Sequence, residues 1–144
     1  MHTRTPEEAI DVLRSGGHRM TAARTAIVDI VLTAGTPLSA QDVSAALAKR
    51  SVSANVTTVY RELEFLRERG LCVPVTFADG VQRYEPSDLG HHHHLVCVGC
   101  NAIQDIELPH EELHAAEKRI EKSHGFTVLQ HALEFYGRCG KCRD

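Results

Sequence analysis

The sequence predicts an α+β chain built as two small domains, and three observations predict it. Helical periodicity fills the first part and gives way to a hairpin signal near residue 80. Metal-ligating residues are sorted into the second part, where eight of ten His and four of five Cys follow residue 85. Charge splits the same way: residues 1–84 carry 10 Lys/Arg against 9 Asp/Glu, and residues 85–144 carry 6 against 10. A chain of 144 residues accommodates two such domains but not two large ones.

Taken in order, Thr5-Pro6-Glu7-Glu8 is a helix start, with a hydroxyl cap, Pro at the first helical position and acid in the first turn. Gly16-Gly17 ends that helix. Thr21 caps a second, whose apolar positions Ala23, Ala26, Ile27, Ile30, Val31 and Ala34 keep the 3.6-residue period. Gly35-Thr36-Pro37 stops it. Ser39-Ala40-Gln41-Asp42 resembles a capping box and opens a third helix with Val43, Ala46 and Leu47 inward. Ser53 or Asn55 caps a fourth, with Val56, Val59, Leu63 and Leu66 at helical spacing and Gly70 at its end. Two β-prone runs then flank Asp79-Gly80, a short hairpin signal, and Pro74 assigns the first of them to a sheet edge.

Helices followed by a hairpin suggest a winged helix-turn-helix over residues 1–85, with the fourth helix as the recognition helix. Its early polar positions Thr57, Thr58, Tyr60 and Arg61 are the candidate DNA contacts, joined by Arg19 and Arg24 as phosphate contacts. The competing reading is a helical bundle with a merely solvated polar face.

Residues 86–90 form a hinge, and residues 91–144 a metal-binding α/β domain. Cys97-Val98-Gly99-Cys100 and Cys139-Gly140-Lys141-Cys142 are two CxxC pairs separated by 38 residues. Four thiolates so paired suit one tetrahedral structural Zn²⁺ better than a redox dithiol. Cys72, alone in a strand, reads as a small buried apolar residue. His91-His92-His93-His94 runs into a strand, so its side chains alternate: His91 and His93 face one side, His92 and His94 the other. Glu85 or Glu68 would complete the His92/His94 site. A helix from Pro109 to about Ser123 buries Leu113, Ala116 and Ile120, with Glu112 and His114 beside that stripe. A last strand carries Leu129, His131, Leu133 and Phe135 on one face. His131 joins the His91/His93 side, and His18, His110 and His124 are read as surface or capping residues.

Composition narrows the class. Apolar residues make up 42% and charged residues 24%, which excludes disordered and fibrous chains. No run of apolar residues is long enough for a membrane span, and the first residues lack a signal-peptide core, so a cytoplasmic location is expected. A zinc hydrolase would use an open His site with a Glu base, but there is no HExxH helix and the helical half would have no role. The chain is expected not to be an enzyme.

The whole pattern resembles the ferric uptake regulator family of metal-dependent repressors. The resemblance rests on Gly17-x-Arg19-x-Thr21-x-x-Arg24, Thr57-Thr58-Val59-Tyr60-Arg61-x-Leu63 and His91-His92-His93-His94-Leu95-Val96-Cys97-x-x-Cys100. It continues through His124-Gly125-Phe126, His131 and Tyr136-Gly137-x-Cys139-x-x-Cys142. It implies a DNA-binding domain, a C-terminal dimerisation domain and a homodimer on double-stranded palindromic operator DNA. It implies structural zinc at Cys97, Cys100, Cys139 and Cys142, a regulatory hinge site at Glu85, His92 and His94, and an additional site at His91, His93 and His131. Counting back from His124-Gly125 puts His114, with Glu112 nearby, where the family has a Glu for that additional site. Two departures stand out: Pro37 replaces a His ligand of iron-type members, and the hinge Cys of the zinc-sensing branch is missing, although the four-His run resembles that branch. The regulatory ion is therefore a divalent metal, Zn²⁺ or Fe²⁺, with Mn²⁺ or Ni²⁺ as further candidates. The function implied is repression gated by that ion; the alternative within the family is a peroxide sensor using Fe or Mn.

Overall fold

Thr5 opens the first helix, α1 (Pro6–Ser15), with a reciprocal capping box: its hydroxyl accepts from the Glu8 amide, and the Glu8 carboxylate accepts from the Thr5 amide. Thr21 caps α2 (Ala22–Thr33), and Ser39 caps α3 (Ala40–Lys49) through a second capping box with Asp42. Asn55, not Ser53, caps α4 (Val56–Glu68), its side chain accepting from the Thr58 amide at 2.8 Å. A two-residue strand, β1 (Leu38–Ser39), precedes α3, and β2 (Cys72–Thr76) and β3 (Gln82–Pro86) make the hairpin. This computed structural model describes residues 4–143; the outermost ends of the two expected domains, residues 1–3 and residue 144, lie outside the described residues. The chain divides into two compact units, Met1–Gly90 and His91–Asp144.

In the first unit the sheet order is β1-β3-β2, so β2 is an edge strand and Pro74, opposite Tyr84, interrupts no second ladder. The winged helix-turn-helix follows from this order: four helices and a small sheet, with the β2–β3 wing after α4. The core joins Ile27, Val28 and Val31 of α2, Val43 and Leu47 of α3, and Val59, Leu63 and Leu66 of α4. Burying each such side chain contributes roughly 1.5–3 kcal/mol before chain entropy is counted. Cys72 is buried there, its thiol pushed up to about 12 chiefly by burial, which leaves it inert. Val56 departs from the periodic reading: it is 49% exposed because the first turn of α4 extends past the core.

Arg24 also departs from its expected role. It is largely buried, and its Nε and Nη2 donate to the Glu62 carboxylate at 2.7 and 3.1 Å. Its Nη1 donates to the Arg19 carbonyl, and its guanidinium lies 3.9 Å from the centre of the Phe65 ring. A guanidinium committed on every nitrogen ties α2 to α4 and is not offered to a phosphate. Arg24→Ala is therefore expected to lower unfolding stability by about 1–3 kcal/mol in urea melts, because the Glu62 charge is left half-buried without its partner. A pure phosphate contact would leave the melt unchanged.

The second unit contains β4 (His93–Cys97), β5 (Ile103–Ile106), α5 (His110–His124) and β6 (Glu134–Gly137). The sheet order is β5-β4-β6, with β4–β5 antiparallel and β4–β6 parallel, α5 lying in the connection from β5 to β6. Two expectations fail here. The last strand begins only at Glu134, because the register pairs His94 with Glu134 and β4 offers almost nothing further back to pair with. Leu129 is consequently 91% exposed. The stripe on α5 has the right period but is not covered: none of the helix's residues is buried, and Ile120 is 45% exposed. Among the described residues, His93, His94 and Cys97 are the buried positions of this unit. So small a core needs another source of stability.

Candidate metal centres and DNA-binding face

The turn after β4 returns sharply enough to bring two CxxC pairs together. Cys97 lies at the end of β4, its amide bonded to Ala102, and Asn101 in a left-handed conformation (φ 59°) turns the chain into β5. Cys139 and Cys142 follow β6, which the parallel register with β4 carries to the same end of the sheet. All four Sγ atoms lie within 4.8 Å of one another. The Cys100–Cys139 separation is 3.8 Å, which matches the edge of about 3.8 Å that Zn–S bonds of about 2.3 Å set in a tetrahedron. Gly99 is needed for closeness rather than for its dihedral, since a Cβ there would sit 3.0 Å from the Cys142 Cβ and 3.1 Å from its Sγ. Gly140 has open space around it.

The thiols are unequal. The Cys139 amide donates to the Cys97 sulfur at 3.3 Å and, with the Cys100 amide, pulls that thiol down to about 6. Cys142 is pushed up to about 12 by hydrogen bonds with Cys139, Cys100 and Cys97. One thiolate forms readily and the last proton is held tightly, which is the pattern that a dication resolves. The donor set fits structural zinc.

Upstream, the four-His run splits between two faces. On one face the His91 and His93 rings are 4.7 Å apart, and His131 lies 4.6 Å from His91 and 5.2 Å from His93. His91 Nε2 meets His131 Nε2 at 2.9 Å. The His93 Nε2 is buried with no hydrogen-bond partner among the described residues. Burial lowers the pKa of both His91 and His93, and neighbouring imidazoles lower it further, which keeps the rings in the neutral form that metals bind. The carboxylate beside this group is Glu117, accepting from His131 Nδ1 at 2.6 Å. His114 instead points outward, 67% exposed and 3.5 Å from Glu117, and Glu112 is exposed. Helix phase explains the difference: Glu117 is one turn further along α5, at the level of His131.

On the other face the His92 and His94 rings are 4.8 Å apart. Cross-strand pairing sets His94 opposite Asp105, whose Oδ1 lies 3.5 Å from His94 Nε2 and is buried without a hydrogen bond of its own among the described residues. Sequence reading missed Asp105 because its strand, β5, carried no clear alternation. Three donors on one face, including a buried carboxylate oxygen without a hydrogen bond, fit a divalent ion. In the first unit, Glu85 lies on β3 opposite Val73, and Glu68 is the exposed last residue of α4.

Along α4, Thr57, Tyr60 and Arg61 are exposed, with Tyr60 at 48%, and Thr58 is half-buried with its amide tied to Asn55. Arg19 is exposed and Arg24 is not available. Hydroxyls, a phenol and a guanidinium on one exposed helix face form a surface able to meet base edges and phosphates.

A family model described as the Ferric uptake regulator family matches residues 15–136. The chain is 37% identical over 134 residues to the ferric uptake regulation protein of Bacillus subtilis, covering 90% of this chain and 89% of that one. It is 30% identical over 138 residues to the peroxide-responsive repressor PerR of Staphylococcus aureus, covering 96% and 91%. A solved structure of the ferric uptake regulator of Francisella tularensis with iron superimposes with a TM-score of 0.77 at 28% identity, covering 89% of this chain and 96% of that one. No helix among the described residues is long and apolar enough to cross a membrane.

Proposed function

The chain belongs to the ferric uptake regulator family, and from that premise we propose that Glu85, His92 and His94, with Asp105, hold the regulatory divalent ion that gates its binding to DNA. Its function is metal-responsive transcriptional repression. Structural zinc belongs to Cys97, Cys100, Cys139 and Cys142. The observation that carries the gating site is the pairing of His94 with the buried Oδ1 of the half-buried Asp105 on the face that His92 shares.

A bound ion supplies a cross-link among these donors. Glu85 belongs to the winged-helix unit and the other three to the second unit, so the link constrains how far the two units move relative to each other. Differential affinity for the DNA-competent arrangement is what shifts the population toward it. Glu85 rather than Glu68 takes the role because it stands immediately before the hinge, at the end of the hairpin. The iron in the Francisella relative and the peroxide response of the Staphylococcus relative supply the candidate chemistries for this ion.

The operator read is a palindrome, with one recognition helix of a homodimer in each half-site. The exposed apolar residues Ile120, Leu129, Phe135 and Tyr136 of the second unit supply the surface for the second copy. On DNA, Thr57, Thr58, Tyr60 and Arg61 meet the major groove, and Arg19 contacts phosphate. Such a repressor works in the cytoplasm beside its DNA, and no catalytic role is assigned.

The test is a binding titration of palindromic operator DNA with zinc-replete protein across added Fe²⁺, Mn²⁺, Zn²⁺ and Ni²⁺. At least one ion is expected to tighten binding about 5–150-fold, the usual range of coupling between two sites. Equal affinity with and without every ion refutes gating. The similarity to PerR favours a second reading, peroxide sensing by the iron-loaded site. It predicts one added oxygen on His92 or His94 by mass spectrometry after peroxide treatment, together with release from DNA.

A further inference from the structure

His110 starts α5, and sequence reading gave it only a surface or capping role. The fold brings it elsewhere. Its ring lies 5.3 Å from the His91 ring, and both line an open pocket of about 440 Å³ with Glu117, Leu129, Gln130 and His131. Pro109 provides no side-chain cap for the helix, so nothing in the cap geometry ties His110 to the helix end.

Two imidazoles on one tetrahedral ion, with metal–nitrogen bonds of about 2.0 Å, hold their ring centres about 5 Å apart. The His91–His93, His91–His131 and His93–His131 separations are 4.7, 4.6 and 5.2 Å, and His91–His110 is 5.3 Å. His93 Nε2, buried and without a hydrogen bond among the described residues, is aimed at no protein acceptor. Glu117 is not spare for the same ion. It is engaged on His131 Nδ1, at the opposite edge of the ring from the Nε2 that meets His91. A carboxylate on the far nitrogen orients an imidazole ligand and raises its basicity rather than binding the ion itself. Three imidazoles then leave one tetrahedral position open.

We infer that His110 fills that position, making His91, His93, His131 and His110 a four-imidazole metal site with Glu117 as its positioning carboxylate. The inference rests on the reading of His91, His93 and His131 as a metal site. It assigns the fourth ligand to a position one turn before His114, where the family resemblance would put it. Four neutral nitrogens favour borderline ions such as Zn²⁺, Co²⁺ and Ni²⁺ over Mn²⁺ and Mg²⁺, which prefer oxygen.

The test uses full-length, zinc-replete protein carrying His92→Ala and His94→Ala, so that the other face is silent, and Co²⁺ as the probe. Visible absorption reports the geometry of bound Co²⁺, X-ray absorption counts its imidazoles, and circular dichroism checks each variant's fold. The background protein is expected to bind Co²⁺ in a tetrahedral, four-imidazole environment. Adding His110→Ala should weaken binding by at least about tenfold and drop the count to three, with weaker bands as water enters, whereas His114→Ala should change neither. An unchanged affinity and spectrum in His110→Ala overturns the inference, as does a loss confined to His114→Ala. If Co²⁺ binding is absent from the background protein, or survives His91→Ala, the underlying reading of the site fails as well.

Discussion

Cys97→Ser is expected to unfold the His91–Asp144 unit while the helices of the Met1–Gly90 unit persist. The reason is the imbalance in how the two units are held. The first has a continuous apolar core from α2, α3 and α4, whereas the second buries only His93, His94 and Cys97 among its described residues. A structural Zn²⁺ contributes apparent free energies of roughly 10–16 kcal/mol in small zinc-folded domains, as much as or more than the whole stability of an ordinary domain. Cys97 is also the sulfur best prepared to ionise, through the Cys139 amide. Zinc content should fall from one ion per chain at this site to none. Limited proteolysis should begin beyond residue 90, and the dimer should dissociate on gel filtration, with most of the far-ultraviolet helical signal retained. Prolonged chelation of the wild-type protein should give the same pattern. A zinc-free Cys97→Ser protein with native protease resistance would show that the sheet alone holds this unit.

The second large effect is on DNA binding. His92→Ala together with His94→Ala should bring the affinity of metal-loaded protein for operator DNA down to that of the metal-free protein, while zinc at the four cysteines and the circular dichroism spectrum stay as they were. The separation follows from the grouping of side chains, since His92, just before β4, and His94 on it share one candidate site while Cys97, at the strand's end, belongs to another. Asp105→Asn keeps the shape and removes the charge facing His94. It should raise the concentration of metal needed for half-maximal DNA binding about 10–100-fold, without changing the affinity reached at saturation. Metal dependence that survives the double His substitution would move the gate to another group.

Several features were legible in the chain because they depend on neighbours close in sequence. Caps at Thr5, Thr21 and Ser39, the edge position of Pro74 and the apolar stripe of α4 all follow from local stereochemistry. The division of four consecutive histidines between two faces follows from the two-residue period of extended chain, and the paired CxxC spacing suits a tetrahedral zinc ion. Arg24 shows the limit. Its place in a family motif says nothing about Glu62, 38 residues away, and that partner turns a candidate phosphate contact into a strut.

What only the tertiary structure decided is which distant carboxylates and imidazoles meet. Asp105 comes to His94 through an antiparallel register, and Glu117 comes to His131 through the phase of α5. A shift of one residue in a strand, or of one turn in a helix, would exchange these partners at almost no local cost. The sequence by itself determined the family, the two-part plan and the four cysteines proposed to hold zinc, since those rest on residue type and short spacing. The companions of each histidine depend on packing between elements far apart along the chain, and no short-range pattern encodes that.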